Sequence, residues 1–191
     1  MAKPASLELP ILDQNLLDSV SNGRHHDPHS VLGVHPIEGG WVIRALRPLA
    51  TTVTAIVGKS KVQLSHSFNG IFEGTVSGKT VPNYTIHAQY DEGEWLGDDP
   101  YHHLPTVGEL DLHLIREGRH EELWKALGAN IKGNGTAFAV WAPNAQAVRV
   151  IGEFNGWNGV THSMRVMGSS GVWELYIPGV GAGTKYKFEI L

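Results

Sequence analysis

The chain has 191 residues, 15 Lys and Arg against 19 Asp and Glu for a formal net charge of -4, and no cysteine. With its basic residues scattered it lacks the electrostatic footprint of a nucleic-acid binder, and the missing thiols exclude disulfides, cysteine catalysis and cysteine-ligated zinc and suit a reducing cytoplasm. Met1 to Ser6 lacks the apolar core of a signal peptide, and no stretch approaches the ~20 apolar residues of a membrane span, so a cytoplasmic location with no membrane partner is expected.

From Leu7 to Val20, the residues Leu9, Leu12, Leu16, Leu17 and Val20 recur near helical spacing before Ser21-Asn22-Gly23, which predicts a short amphipathic helix packed on the first module. Asp27-Pro28 and His35-Pro36 punctuate a turn-rich stretch. Strand-like runs follow at Trp41 to Leu46, Thr52 to Val57, Lys61 to Ser65, Ile71 to Val76 and Tyr84 to Tyr90, each bounded by Gly, Pro or Asn, the pattern of a β-sandwich. Val107 to Leu127 reads as helical segments broken at Gly118 and capped by Gly128. Further strands are predicted at Thr136 to Ala142, Val148 to Glu153, Gly171 to Ile177 and Thr184 to Leu191.

The second group of strands repeats the first. Gly40 to Ile56 aligns without gaps on Gly135 to Ile151, Gly70 to Gly78 aligns on Gly171 to Gly179, and Tyr84-Thr85-Ile86 aligns on Tyr186-Lys187-Phe188. Three blocks in one order indicate two copies of one β module. The expected fold class is therefore all-β: two tandem immunoglobulin-like β-sandwiches joined by a short helical linker, with a short N-terminal helix. The expected bounds are 1–26 for the N-terminal segment, 27–105 for the first sandwich, 106–134 for the linker and 135–191 for the second sandwich. The second copy stops five residues after Tyr186, which leaves an unpaired edge and suggests a natural protein continuing past Leu191.

Several strings carry a family resemblance. Asp27-Pro28-His29-Ser30-Val31-Leu32-Gly33, Arg44-Ala45-Leu46-Arg47-Pro48, Asp98-Asp99-Pro100-Tyr101, Phe138-Ala139-Val140-Trp141-Ala142-Pro143-Asn144-Ala145 and Gly152-Glu153-Phe154-Asn155-Gly156-Trp157-Asn158-Gly159 together resemble the amino-terminal half of bacterial 1,4-α-glucan (glycogen) branching enzymes. Phe138 to Gly159 alone resembles carbohydrate-binding module 48, and the first module narrows the likeness to branching enzymes. The resemblance implies two sandwiches ahead of a catalytic TIM barrel that this chain lacks. It implies α-glucan partners (glycogen, amylose, maltooligosaccharides), no cofactor, and a parent reaction that cleaves an α-1,4 link and forms an α-1,6 branch. Val160-Thr161-His162-Ser163-Met164-Arg165 departs from the family, which places two arginines before His-Pro-Met-Arg.

Glycosidic chemistry needs two carboxyl groups flanking one bond on a rigid scaffold. The acidic pairs Asp91-Glu92, Asp98-Asp99 and Glu121-Glu122 are sequence neighbours in turns and helical stretches, so no catalytic residue is expected here. His25-His26-Asp27-Pro28-His29 reads as a structural turn and not as a metal site, because adjacent imidazoles seldom converge. Gly179-Val180-Gly181-Ala182-Gly183 reads as a connecting loop, lacking the Lys-Ser/Thr of a phosphate loop.

The aromatic residues carry more. A glucose ring stacks its C–H face on an indole while amide and charged groups bind its hydroxyls, and Phe154-Asn155-Gly156-Trp157-Asn158 has that mixture. The resemblance implies that Trp157 stacks on glucose and that Lys187 assists, with a second tryptophan beyond Leu191. In the first module Trp95 holds the place of that second tryptophan. The candidate glycan-binding residues are Trp157, Lys187, Asn155, Asn158 and Trp95. Trp41, Trp141 and Trp173 are expected in cores or between sheets, and Trp124 is expected to anchor the linker. A stand-alone glycan-binding or regulatory module, or a purely structural interaction pair, are the alternatives.

Overall fold

The computed structural model describes residues 7–191; the first six residues of the 1–26 segment lie outside the described residues. Helix α1 spans Gln14–Ser21. It starts later than the periodicity suggests, because Pro10 lacks a helical donor and the Asp13 carboxylate caps the first turn, accepting from the amides of Asn15 and Leu16 at 2.9 and 3.1 Å. Asn22 and Gly23, with φ of 61°, end it.

The first module contains β1 (Gly33–Ile37), β2 (Gly40–Leu46), β3 (Thr52–Val57), β4 (Ser60–Phe68), β5 (Ile71–Ser77), β6 (Thr85–Tyr90) and β7 (Gly93–Asp98), hydrogen-bonded in the order β1-β2-β5-β4-β3-β6-β7. Strand β4 makes this one curled sheet. Its first half pairs with β3 and its second half with β5, with a bulge between His66 and Phe68, so the chain turns a corner and closes two layers over one core. That core holds Ile43, Ala45, Val53, Ala55, Phe72 and Ile86, all buried.

After a turn at Pro100–His102, helix α2 spans Glu109–Arg116 and ends at Gly118, φ 64°. The second module contains β8 (Gly128–Lys132), β9 (Gly135–Trp141), β10 (Val148–Gly152), β11 (Arg165–Val166), β12 (Val172–Pro178) and β13 (Tyr186–Ile190). A four-stranded sheet, β11-β12-β9-β8, faces the pair β10-β13. Strands β1, β7, β8 and β11 are absent from the sequence prediction. All four lie at sheet edges, where half-solvated backbone needs no strong hydrophobic pattern. Strand β8 also corrects the linker: residues 128–132, inside the stretch expected to be helical, belong to the second sheet.

The two modules share one pairing scheme down to the residue. Gly40 faces Ser77 and Leu46 faces Ile71 across β2 and β5; the aligned residues Gly135 and Pro178, and Trp141 and Val172, face each other across β9 and β12. Val53 opposite Ala88 has its counterpart in Val148 opposite Ile190, and Gly33 opposite Arg44 in Gly128 opposite Ala139. The turns agree as well. Arg47 N–H donates to Gly70 O at 2.7 Å and Ala142 N–H to Gly171 O at 2.8 Å, which sets Pro48 and Pro143 in equivalent corners. Both glycines have positive φ, 81° and 74°, and a Cβ on either would lie within 3 Å of its corner proline.

The modules do not have wholly separate interiors. Val31, Leu32, Leu46, Ile71 and Tyr101 of the first module join Phe138, Val148, Met164, Trp173 and Leu175 of the second in one buried cluster. Val20 of α1 is buried in the same cluster, with Leu16 and Leu17 against it. The helix is thus held by both modules, and not by the first alone. Its C-terminus is tied to the second: Arg149 of β10 donates to Asn22 O and Gly23 O, both at 2.7 Å, and pairs with Glu189 at 3.0 Å. A cation there complements the helix dipole and satisfies terminal carbonyls. The linker is fastened through Glu174 of β12, fully buried, whose carboxylate takes Arg165 on one oxygen and the N–H and hydroxyl of Thr106 on the other, at 2.9 and 2.8 Å.

Candidate functional site

The best-formed aromatic site lies on the turn after β10. Gly152 N–H donates to Asn155 Oδ1, and Trp157 N–H donates back to Gly152 O, both at 2.9 Å. Gly156 and Trp157 are both left-handed, φ 59° and 63°. Glycine adopts that conformation freely, whereas for tryptophan it is a true outlier that persists only where the surroundings enforce it. The loop then folds back over β10, where Gly159 lies so close to Arg149 and Ile151 that a Cβ would sit 2.6 Å from the Arg149 Cβ. The result presents the indole of Trp157, 45 % exposed, at the surface.

Lys187, exposed on β13 opposite Ile151, places its ammonium 5.9 Å from the Trp157 ring centroid. The two residues are 30 apart in sequence and meet because β10 pairs with β13. Asn158 accepts from Val160 N–H at 3.1 Å through Oδ1, and its amide nitrogen has no partner among the described residues. Asn155 is different. Its Oδ1 holds Gly152, and its Nδ2 donates to Val150 O at 2.9 Å and reaches His162 Nδ1 at 3.2 Å, so both of its donors are engaged in building the turn. His162 is held neutral beside it, its pKa lowered to about 3 by burial and by the nearby Arg47 cation.

Trp95 does not join this constellation. It stands on β7 opposite Ala88 and lines a cleft between the modules, with the Arg47 guanidinium 4.0 Å from its ring centroid. Of the remaining tryptophans, Trp173 is buried and donates to Ala142 O at 3.0 Å, as expected for a core residue, and Trp41 is half-buried in β2. Trp141 and Trp124 are corrections, with exposures of 57 % and 66 %. The linker covers the outer face of β9 and β12 only around Ala139 and Val172, using Val107 and Leu112. Trp141, at the end of β9, therefore overhangs a small apolar groove with Ile115 and Leu123, and Trp124 lies on a three-residue turn with no buried member.

One member of each of two acidic pairs serves structure. Asp99 is buried, accepting from the Tyr84 hydroxyl at 2.8 Å and capping Tyr101 N–H at 3.1 Å, while Glu122 pairs with Lys125 at 2.7 Å on the surface. His29 follows Pro28 in a helical turn and packs edge-on to Tyr101 at 5.1 Å; burial, with the Arg165 charge nearby, lowers its pKa to about 3. His25 Nδ1 accepts from Asp27 N–H at 3.1 Å. Among the described residues no group of three or more His, Cys, Asp or Glu is placed to hold a metal ion, and no helix is long and apolar enough to cross a membrane.

Two fused β-sandwiches, one of them with an exposed tryptophan and asparagine on a rigid turn and a lysine on the neighbouring strand, are an architecture compatible with the class of carbohydrate-binding modules. Residues 13–101 match the family described as alpha-1,4-glucan branching enzyme GlgB, N-terminal domain, and residues 126–191 match carbohydrate-binding module 48 (isoamylase N-terminal domain). The chain belongs to the N-terminal region of the glycogen branching enzyme family.

It is 53 % identical over 196 aligned positions to the 1,4-alpha-glucan branching enzyme GlgB of Leifsonia xyli subsp. xyli, covering 96 % of this chain and 26 % of that protein. It is 56 % identical to the GlgB of Thermobifida fusca, covering 87 % of this chain and 24 % of the relative. The chain thus spans about a quarter of the length of the curated relatives it matches. Among solved structures, the pullulanase type I of Bacillus subtilis str. 168 complexed with maltose aligns over 78 % of this chain and 21 % of its own, at 19 % identity and a TM-score of 0.29.

Proposed function

We propose that this chain is the α-glucan-binding and positioning region of a cytoplasmic glycogen branching enzyme, and that Trp157, Lys187 and Asn158 take one glucose unit of the glycan. The observation that carries the reading is the enforced left-handed Trp157: a bulky residue is held in a costly conformation on a closed turn, with nearly half of its surface left to solvent. The indole offers the stacking face, the Lys187 ammonium offers donors at its edge, and the Asn158 amide nitrogen supplies another. Asn155 contributes by fixing the turn. The parent reaction, cleavage of an α-1,4 link and transfer to an α-1,6 position, belongs to a catalytic domain that this chain would serve by holding glycogen, amylose or maltooligosaccharides near it.

Titration of the purified chain with maltoheptaose, followed by tryptophan fluorescence, tests the reading. One stacking face against the entropy of ordering the ligand gives a Kd on the order of millimolar to tens of micromolar. No saturable change up to the solubility limit of the sugar would contradict it. Iodine staining of amylose incubated with the same chain should remain unchanged.

A further inference from the structure

Between the two modules lies a cleft of about 550 Å³, within the size range of ligand sites. Its first wall is Arg47, Trp95 and Asp98 of the first module; its second carries Asn134 and Thr161 of the second. Arg47 is only 6 % exposed, yet its side chain makes one hydrogen bond among the described residues, from Nη1 to Leu46 O at 3.0 Å. Its Nε and Nη2 are buried and have no partner among those residues. Leaving such donors unpaired is unfavourable; both are closed to solvent with the guanidinium stacked against Trp95, so an acceptor in the cleft reaches them as that ring shifts.

Trp95 completes the wall. Its indole lies against the guanidinium and across Gly97, where a Cβ would come within 2.8 Å of Cζ2. Gly97 thus leaves room for the ring to lie flat, and the ring remains 37 % exposed. On the opposite wall the Asn134 amide nitrogen has no partner among the described residues, its Oδ1 being taken by the Tyr176 hydroxyl at 3.0 Å.

Charge selects the ligand. The charged groups lining the cleft are one cation, Arg47, and one carboxylate, Asp98, and burial holds the lining His162 neutral above a pKa of about 3. A balanced pair with an indole and amides suits a neutral polyhydroxylated ring, whose oxygens accept from Arg47 and whose hydroxyls donate to Asp98, better than an anion. We propose that the inter-module cleft is a second α-glucan site, in which Trp95 carries a glucose ring and the free Nε and Nη2 donors of Arg47 bind its hydroxyls. This rests on the α-glucan reading given above but not on the Trp157 site.

The test uses the 15N-labelled 191-residue chain, unmodified and as Trp157→Ala, titrated with maltoheptaose and followed by amide and indole NMR resonances. The proposal expects the Trp95 indole N–H, the Gly97 amide and the Asn134 side-chain amide to shift together and saturably in both proteins. Arg47→Lys in the Trp157→Ala background keeps the charge but loses the guanidinium fork, and should weaken that binding about tenfold or more. Shifts confined to the Trp157 turn, and lost in Trp157→Ala, would overturn the cleft site while leaving the Trp157 reading intact. No shift anywhere in the unmodified chain would overturn both. A stronger response of the cleft resonances to glucose 1-phosphate than to maltoheptaose would overturn the assignment to a neutral glycan.

Discussion

Replacing Arg165 by Met should destabilise the second module. Glu174 is fully buried, and Arg165 is its one cationic partner among the described residues; without it the carboxylate keeps only the two bonds from Thr106. An uncompensated buried charge destabilises by about 3–5 kcal/mol, and the surviving Thr106 bonds favour the lower half of that range. Arg165 also donates to His103 O at 3.2 Å, which adds to the loss. The double variant Arg165→Met/Glu174→Met removes both charges and should recover to within about 2 kcal/mol of the unmodified chain, since well-packed apolar replacements of buried pairs are often neutral.

Glu73 holds the aligned position in the first module. It pairs with Arg44 across β2 and β5 at 2.8 Å and is 19 % exposed, so Arg44→Met should lose only about 1–2 kcal/mol. Urea unfolding of the four proteins gives the comparison. If Arg165→Met lost less than about 1 kcal/mol, or if the double variant were no more stable than the single one, the buried-charge argument would be wrong.

Three further outcomes follow from the same contacts. His29 and His162, both with folded pKa values near 3, remain neutral in the fold while the unfolded chain protonates near 6.5, so stability should be level above about pH 6.5 and fall as pH drops towards 3. At about 1.4 kcal/mol per pH unit for each group, up to about 4 kcal/mol is lost by pH 5; equal urea midpoints at pH 7 and pH 5 would contradict this. Arg149→Ala removes both bonds to the end of α1 and the pair with Glu189, and hydrogen exchange at α1 amides should accelerate at least tenfold with the strands of the first module unaffected. Gly171→Ala should destabilise about as much as Gly70→Ala, by more than about 1 kcal/mol in thermal unfolding, since both combine positive φ with a blocked Cβ.

Much of this fold is readable in the sequence because both modules obey the same local rules. The aligned Gly70 and Gly171, and Pro48 and Pro143, punctuate equivalent corners, and the predicted strands between them pair in equivalent registers. Edge strands β1, β7, β8 and β11 are not readable, since their residues satisfy solvent as well as a neighbour. Trp141 and Trp124 depart from expectation because large apolar residues are expected inside, while their burial depends on how far the linker reaches across the sheet. At the candidate site, residue types point to Trp157 and Lys187, and the β10–β13 register brings them together. The engagement of Asn155 in the turn and the buried, half-partnered Arg47 depend on three-dimensional contacts that no spacing encodes.

The central claim is that Trp157 is exposed for glycan and not for packing, and retention of Trp157→Ala on a native gel containing glycogen, measured beside its unfolding free energy, tests it most directly. With 45 % of its surface in solvent, the indole contributes at most about 2 kcal/mol to stability. The account predicts that Trp157→Ala stays folded and loses most of its retardation by glycogen, keeping only the part that the inter-module cleft supplies, with Lys187→Ala retarded to an intermediate degree. A stability loss of about 3–5 kcal/mol, as for a buried tryptophan, with retardation unchanged in whatever remains folded, would contradict it.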